Sequence, residues 1–302
     1  MTAGIIPKRN YITAQDFNLS YLVKNQTLGN INVSCHMKIY KQKSKSLSME
    51  NEFDFSKGQY MLVDKSVVAL LIKESNLQRE DSVLEIGAGD GILTEQIARA
   101  CKDVTVFELD RRFEENLAII NQRYPQIKFL FEDCLHYSWR GCTKLVANIP
   151  YHLSEAIILR AIKFGIKDCI LIVGEKFKEK LETNTKIGLI SRLFYSLHAL
   201  TIIRRNSFDP PPRTNSWLIH LKKKDEINLQ DAILLNICLS NGKIKNALVS
   251  ELVRKGLTKR EAKESLSKAK LNKLALEKPA FKITAPLFGL LKESVEKLCQ
   301  VP

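Results

Sequence analysis

The chain has 302 residues, of which 45% are apolar and 26% charged, a composition typical of a globular protein with one large domain and a smaller one. Its 47 lysines and arginines exceed its 33 acidic residues, and the net charge of +14 favours nucleic acid or the ribosome as a partner over a membrane surface. There is no apolar run near the ~20 residues of a spanning helix, and there is no signal-peptide core. The 7 cysteines and 5 histidines lack metal-ligand spacing. We therefore expect a cytoplasmic monomer without membrane attachment or metal.

Residues 1–57 show no sustained hydrophobic periodicity. Asp16 is the only acidic residue before Glu50, and the segment contains the basic run KIYKQKSKSLS. This composition predicts a flexible, cationic extension. An organelle transit peptide is the alternative, which the scarcity of arginine disfavours.

Residues 58–224 alternate between apolar strands and amphipathic helices. The first helix is DKSVVALLIKESNL, in which Val67, Val68, Leu71 and Ile72 recur at helical spacing. The segments that follow it are, in order, SVLEIGAG, GILTEQIARAC, DVTVFELD, RRFEENLAIINQRY, IKFLFED, TKLVANI, SEAIILRAIKFG and CILIVG. This rhythm predicts an α/β domain with a mostly parallel, doubly wound sheet, whose ligands bind beyond the carboxyl ends of the strands.

Residues 225–302 carry helical patterns and no further strands. From Lys222 onward there are 17 basic and 9 acidic residues, a net of +8. We therefore predict a small, basic, all-α domain that contacts RNA. The alternative is a helical surface whose charges are merely solvated.

The segment LEIGAGDG, residues 84–91, places glycines between a strand and a helix, where Gly87 and Gly89 allow a tight turn and close approach of a ligand. Glu108 ends the next strand about 20 residues later, where a carboxylate can accept both ribose hydroxyls. The spacing is not that of a phosphate loop. A nicotinamide dinucleotide fits these features as well as S-adenosylmethionine does.

Two acidic residues favour S-adenosylmethionine. Glu85 precedes the glycines in the E-x-G-x-G-x-G form typical of methyltransferases, and Asp133 follows the third strand, where it can accept from an adenine amino group. The alternative for Glu85 is a strand-end charge that accepts from nearby backbone N–H groups. For Asp133 it is a helix N-cap or a turn residue.

The segment VANIPYHL, residues 146–153, runs a strand into a polar loop. An adenine N6 is a poor nucleophile, so catalysis needs acceptors that hold its two N–H bonds as charge develops. The Asn148 side-chain oxygen and the carbonyls of Ile149 and Pro150 can do this, Pro150 stiffens the loop, and Tyr151 offers a face on which an extruded base can stack. No strong base is needed, because the leaving group is a neutral thioether.

These segments, together with FDPPPRTNSWLIHL, resemble the rRNA adenine N6-dimethyltransferase family over about residues 57–300. That family includes the kasugamycin-sensitivity enzyme, its archaeal, eukaryotic and mitochondrial relatives, and the erythromycin-resistance methyltransferases. The resemblance implies a Rossmann-like methyltransferase domain with a helical C-terminal domain. It also implies that S-adenosylmethionine is the cofactor and that adenines in rRNA are the substrate.

The resemblance also implies roles for individual residues. Asn148, Pro150 and Tyr151 match the catalytic tetrapeptide, and Phe208 matches a phenylalanine expected to sandwich the target base. The alternative for Phe208 is a core aromatic that anchors a proline-rich turn. The implied cofactor contacts are Gln59, Met61, Glu85, Gly87, Gly89, Glu108, Leu109, Asp133, Cys134 and Asn148.

The chain departs from the family pattern in two motifs and in its N-terminal extension, which matches no family counterpart. The usual Q-x-F-L reads Gln59-Tyr60-Met61-Leu62, and a usual glutamine-x-glutamate is replaced by Gly174 and Lys176. Neither change removes a group that the chemistry requires.

Two targets remain open within the family. The NIPY motif is common in the resistance enzymes, which act on large-subunit rRNA. The segments GQYMLVDK and KPAFKITAPLFGLL instead resemble the archaeal small-subunit enzymes. We therefore expect immature small ribosomal subunits as the partner. A non-catalytic ribosome-assembly or transcription factor on the same fold is the alternative from another class, and a DNA adenine methyltransferase would more often carry N-P-P-Y.

Overall fold

The computed structural model describes residues 11–13, 60–268 and 273–300. Its strands are β1 Tyr11–Thr13, β2 Met61–Leu62, β3 Ser82–Ile86, β4 Asp103–Phe107, β5 Ile127–Leu130, β6 Lys144–Asn148, β7 Asp168–Gly174, β8 Tyr195–Ile203, β9 Phe208–Asp209, β10 Ser216–Lys223 and β11 Glu226–Asn228. Its helices are α1 Lys65–Ser75, α2 Ile92–Ala100, α3 Glu114–Arg123, α4 Ser154–Phe164, α5 Glu175–Glu182, α6 Lys186–Phe194, α7 Leu229–Cys238, α8 Ile244–Arg254, α9 Lys259–Lys268, α10 Lys273–Glu277 and α11 Ala285–Gln300.

A seven-stranded sheet forms the centre of the molecule, in the order β5-β4-β3-β6-β7-β10-β8. The five strands from β5 to β7 are parallel, and β10 runs antiparallel to both β7 and β8. The predicted mostly parallel, doubly wound α/β fold is therefore confirmed. β10 is therefore the one antiparallel strand of this sheet, and β8, which runs in the same direction as β7, forms its edge.

Helices cover both faces of this sheet and bury its side chains. The α1 helix begins at Asp64, whose carboxylate accepts from the backbone N–H groups of Ser66 and Val67. The helix buries Val67, Val68 and Leu71, three of the four apolar positions predicted for it. On the opposite face, α4 buries Ile157, Ile158, Ala161 and Ile162. Because both faces are covered, the central strands read as continuous apolar runs rather than alternating ones.

The sheet changes winding direction between β3 and β6. β3 lies between β4 and β6, so the chain leaves it first towards one edge and later returns on the other side. The carboxyl ends of these two neighbours carry the glycine turn and the NIPY loop. In open α/β sheets this switch point is the usual place for a ligand.

Helices α7–α11 form the C-terminal region. The α7 helix is mostly apolar, and its residues 232–238 are all buried, which makes it the centre of this helical layer. Buried residues of α6, such as Ile187 and Ile190, belong to the same apolar cluster as Leu234 and Leu235 of α7. The predicted boundary at residues 224 and 225 falls between β10 and β11, although the two regions share a core. The expectation of no further strands after this boundary is wrong for β11, because its backbone pairs with a segment distant in sequence.

Part of the N-terminal extension is attached to this junction. β1 pairs antiparallel with β11, with Tyr11 opposite Asn228 and Thr13 opposite Glu226. The expectation of a flexible extension therefore does not hold for residues 11–13, because their backbone joins a strand ladder. The remainder of residues 1–57 lies outside the described residues. Among the helices of residues 60–268 and 273–300, none has both the length and the apolar character needed to cross a membrane.

Candidate active site

The glycine turn after β3 adopts conformations that side chains disfavour. Gly87, Gly89 and Gly91 have φ of +79°, +57° and +87°. The Gly87 N–H donates to the Phe107 carbonyl at 2.8 Å, which ties the turn to the end of β4. A Cβ at Gly91 would lie 2.2 Å from the Ile120 Cδ1 atom, so a side chain at this position would require Ile120 to move.

The Met61 side chain lies over this turn. A Cβ added at Gly89 would come within 2.2 Å of the Met61 Cε atom. The two predicted cofactor contacts, Met61 and Gly89, are therefore adjacent. Gln59 is a predicted contact that lies outside the described residues.

Glu108 supports the turn from the end of β4. Its side chain is 7% exposed, its Oε2 accepts from the Gly89 N–H at 2.8 Å, and its Oε1 accepts from the Asp110 N–H at 2.8 Å. Burial raises the pKa of this carboxyl, and the backbone donors oppose the rise. Each carboxylate oxygen has two lone pairs, so Glu108 retains capacity to accept from ribose hydroxyls.

Glu85 is a buried carboxyl with unsatisfied oxygens. Its side chain is 1% exposed, and neither oxygen has a hydrogen-bond partner within the described part of the chain. Burial raises the pKa of Glu85 to about 8; the Thr94 hydroxyl opposes the rise without forming a hydrogen bond of standard geometry, and the charges of Glu108 and Asp90 add to it. The alternative in which Glu85 accepts from backbone N–H groups is therefore not what the structure has. A cation beside it would compensate the buried charge.

The remaining predicted cofactor contacts follow the ends of β4 and β5. The Asp133 carboxylate accepts from the Leu135 N–H at 2.8 Å and lies 3.5 Å from the His136 Nδ1, so it acts as the cap of a short turn. Its role in reading an adenine stays a prediction. Cys134 is buried, which raises the pKa of its thiol to about 12. Leu109, by contrast, is 68% exposed, which leaves an apolar surface at this edge of the sheet.

Asn148 ends β6 and is oriented by a residue distant in sequence. Its Nδ2 donates to the Tyr60 carbonyl at 3.0 Å. A carbonyl can only accept, so this contact fixes which end of the amide is the nitrogen and leaves Oδ1 as an acceptor. A Cβ at Gly87 would lie 3.9 Å from both the Asn148 carbonyl oxygen and the Pro150 Cδ atom, so the NIPY loop adjoins the glycine turn.

The backbone of the NIPY loop is itself hydrogen-bonded. The Ile149 N–H donates to the Ile172 carbonyl at 3.3 Å, and the Pro150 carbonyl accepts from the Leu153 N–H at 2.9 Å. Since the Pro150 carbonyl already closes a turn, Asn148 Oδ1 and the Ile149 carbonyl are the stronger candidates to hold the N–H bonds of a base.

Tyr151 lies between three residues that the sequence did not single out as site residues. Its hydroxyl is 2.5 Å from the Ser216 Oγ, and its ring centroid is 5.4 Å from that of Tyr60, with 37° between the planes. The backbone of Gly174 lies against the same ring. All three positions fall in segments already noted: Ser216 in FDPPPRTNSWLIHL, and Tyr60 and Gly174 in the two motifs that depart from the family pattern.

Phe208 is not available to stack on a base in this conformation. Its side chain is 3% exposed, and β9 pairs with β2 so that Phe208 is opposite Leu62. It belongs to the apolar cluster that also contains Ile203 and Leu218. The buried position corresponds to the alternative interpretation, a core aromatic beside the proline-rich turn. A sandwiching role requires the ring to become uncovered.

Comparison with known proteins identifies the family. Residues 50–278 match the sequence model of a family described as ribosomal RNA adenine dimethylase. The chain belongs to this family. Membership removes the nicotinamide alternative, because the family transfers methyl groups.

Curated relatives cover the chain to different extents. A probable ribosomal RNA small subunit methyltransferase A from Methanococcus aeolicus is 31% identical over 56% of this chain, and the match spans 65% of that relative, just under two thirds. A protein of the same name from Methanococcus vannielii is 26% identical over 81% of this chain and 94% of the relative. Among solved structures, a dimethyladenosine transferase from Plasmodium falciparum is similar with a TM-score of 0.54 and 21% identity, covering 76% of this chain and 95% of that chain, which shows the shared fold.

Proposed function

We propose that this protein transfers methyl groups from S-adenosylmethionine to the N6 atoms of adenines in small-subunit rRNA, acting as a cytoplasmic monomer on immature small subunits. The observation that carries the proposal is the oriented amide of Asn148. Its nitrogen donates to the Tyr60 carbonyl, which leaves Oδ1 as an acceptor, and the backbone carbonyl of the same residue adjoins the glycine turn.

The residues around the turn fit this cofactor. Glu108 would hold the ribose hydroxyls, and the glycines would let the ligand approach the backbone closely. Glu85 supplies a buried carboxyl that has no hydrogen-bond partner in the part of the chain that the structure describes, which suits a ligand that carries a sulfonium and an ammonium group. When bound, the cofactor supplies an electrophilic methyl group and leaves as a neutral thioether. Within the described residues, no three histidine, cysteine or acidic side chains come together as metal ligands.

The NIPY loop would hold the base. The Asn148 Oδ1 and the Ile149 carbonyl would accept hydrogen bonds from the two N–H groups of the adenine amino group. These bonds favour a tetrahedral nitrogen as positive charge develops there. The ring of Tyr151 supplies a stacking surface, which is worth roughly 1–3 kcal/mol per base. An adenine must leave its helix to reach this loop, so extrahelical or single-stranded adenines are the expected targets.

RNA affinity would come mainly from the basic C-terminal region. Exposed lysines and arginines of α9, such as Lys259 and Lys263, are suited to neutralising phosphates. The names of the archaeal relatives support the small subunit as the target. Because of the NIPY motif, large-subunit rRNA is the second candidate substrate.

The test is methyl transfer from labelled S-adenosylmethionine to four substrates: immature small subunits, naked small-subunit rRNA, large-subunit rRNA and DNA. We expect label in the immature subunits, recovered as N6-methylated adenosine by mass spectrometry, which also distinguishes one methyl from two. Label in large-subunit rRNA alone would support the resistance-type alternative. Binding to subunits without transfer would support the non-catalytic assembly factor.

A further inference from the structure

A buried serine lies directly against the phenol of Tyr151. Ser216 opens β10 and is fully buried, and its Oγ lies 2.5 Å from the Tyr151 hydroxyl. In the sheet it pairs with Gly174 of β7 on one side and with Ile203 of β8 on the other. Because strands on both sides hold its backbone, Ser216 is a fixed point against which the phenol is positioned.

Two further contacts bound the ring of Tyr151. A Cβ at Gly174 would lie 3.3 to 3.5 Å from three atoms of the ring, so the absence of a side chain there leaves the ring just enough room. The Tyr60 ring packs against it at a centroid distance of 5.4 Å. The Tyr60 carbonyl also accepts a hydrogen bond from the Asn148 side-chain amide, so Tyr60 contacts both Tyr151 and Asn148.

These contacts hold Tyr151 at both ends. The Pro150–Leu153 hydrogen bond fixes the backbone end, and Ser216 fixes the hydroxyl end. A ring held in this way is ordered before a base arrives, so binding does not bear the entropy cost of ordering it. Correct orientation of a reacting group matters most in the transition state.

We propose that Ser216 is a positioning residue for methyl transfer, which holds the Tyr151 ring in the orientation that stacks on the target adenine. The inference rests on the proposed function, because it takes Tyr151 as the platform for the base. Ser216 itself touches neither the base nor the cofactor in this account.

The test compares Ser216→Ala, Tyr151→Phe and the double variant in methyl transfer to immature small subunits. Each single change removes the same hydrogen bond, so we expect each to lower kcat about 5-fold, the size of one such bond. The double variant should be no worse than either single one. KM for the subunit should stay within about 2-fold, because affinity depends on dispersed phosphate contacts.

Ser191→Ala is the matched control. Ser191 is also buried, but its hydroxyl has no hydrogen-bond partner within the described residues, so this variant loses a buried hydroxyl without losing a bond to Tyr151. We expect it to keep the wild-type kcat. A fall equal to that of Ser216→Ala would indicate a general packing effect and overturn the inference.

A spectroscopic measurement separates this inference from the proposed function. With ¹³C-labelled tyrosine, the resonance that disappears in Tyr151→Phe reports on Tyr151. Burial raises the pKa of Tyr151 and the Ser216 hydroxyl opposes this rise, so Ser216→Ala should raise that pKa further. Wild-type kcat in Ser216→Ala, kcat losses that multiply in the double variant, or an unchanged Tyr151 resonance would each overturn the inference. If the wild type transferred no methyl while the Tyr151 resonance still depended on Ser216, the proposed function would be wrong. The hydrogen bond between Ser216 and Tyr151 would then be real but without a role in methyl transfer.

Discussion

Replacing Glu85 with glutamine should stabilise the cofactor-free protein at neutral pH. Within the described residues Glu85 has no hydrogen-bond partner, and burial is the main cause that raises its pKa to about 8, from 4.5 for an ordinary glutamate. The groups that act on it are Thr94 from α2, which opposes the rise, and the carboxylates of Glu108 and Asp90, which add to it. The folded protein therefore binds this proton more tightly than the unfolded chain does.

The sign and size of the effect follow from proton linkage. Below about pH 4.5 both states keep the proton, and the carboxyl costs nothing through ionisation. As the pH rises towards about 8, the unfolded chain releases the proton and the folded protein does not, so stability falls by about 1.4 kcal/mol per pH unit. At pH 7 the accumulated loss is on the order of 3 kcal/mol, and glutamine, which does not ionise, should recover most of it.

Urea denaturation of the wild type and Glu85→Gln at pH 5, 6, 7 and 8 measures this difference. We expect a gain for the variant that is below about 1 kcal/mol at pH 5 and grows steadily to pH 8. Glu80→Gln is the control, because Glu80 is exposed and its only described ion pair, with Lys102, is also exposed. A gain that does not depend on pH, or one that is smaller at pH 7 than at pH 5, would contradict this prediction.

The same substitution should weaken binding of the cationic cofactor. A positive ligand beside Glu85 lowers its pKa, so the wild type should release up to one proton on binding S-adenosylmethionine near pH 7, and Glu85→Gln should release none. Calorimetry in two buffers of different ionisation enthalpy measures this release. Equal proton release by both proteins would show that the carboxyl does not face the ligand.

Three further predictions concern the cofactor site, the fold and the RNA-binding surface. Glu108→Ala should abolish binding of S-adenosylhomocysteine in calorimetry, and unchanged binding would contradict its assignment to the ribose. Gly91→Ala should lower Tm by more than Gly141→Ala, because both glycines have φ of +87° but a Cβ meets other atoms only at Gly91; equal losses would mean that backbone strain alone matters. Lys259→Gln combined with Lys263→Gln should lower affinity for small subunits and flatten the slope of log affinity against log salt by about 1 to 2, with cofactor binding intact. An unaltered slope would leave these lysines as a solvated surface.

The features predicted correctly are those that a short run of residues encodes. The apolar spacing of α1, the glycine turn with its positive φ angles and the acidic end of β4 were all found in the predicted places, because periodicity and glycine content carry that information. The burial of Phe208 was not decided by its motif, since a two-residue strand has no period from which to infer a buried face.

Contacts between distant segments could not be predicted in this way. The hydrogen bond from Asn148 to Tyr60 joins residues 88 apart, and the contact of Tyr151 with Ser216 joins residues 65 apart. Such pairs depend on strand order and on which residues end adjacent strands. Each of the residues involved was visible in the sequence, but only the fold brings them together.

The proposed role of Asn148 is tested most directly by comparing the wild type with Asn148→Ala. The quantity to measure is the N6-methylated adenosine formed in small-subunit rRNA at saturating S-adenosylmethionine, determined by mass spectrometry of nucleosides. The structure leaves Asn148 Oδ1 as an acceptor. Because we propose that it accepts from the adenine amino group, its removal should lower the yield by at least about 100-fold, comparable to losing a donor that stabilises transition-state charge. Filter binding should find unchanged affinity for the subunit and an unchanged salt slope. Methylation by Asn148→Ala within a few-fold of the wild type would contradict the central claim that this amide holds the reacting amino group.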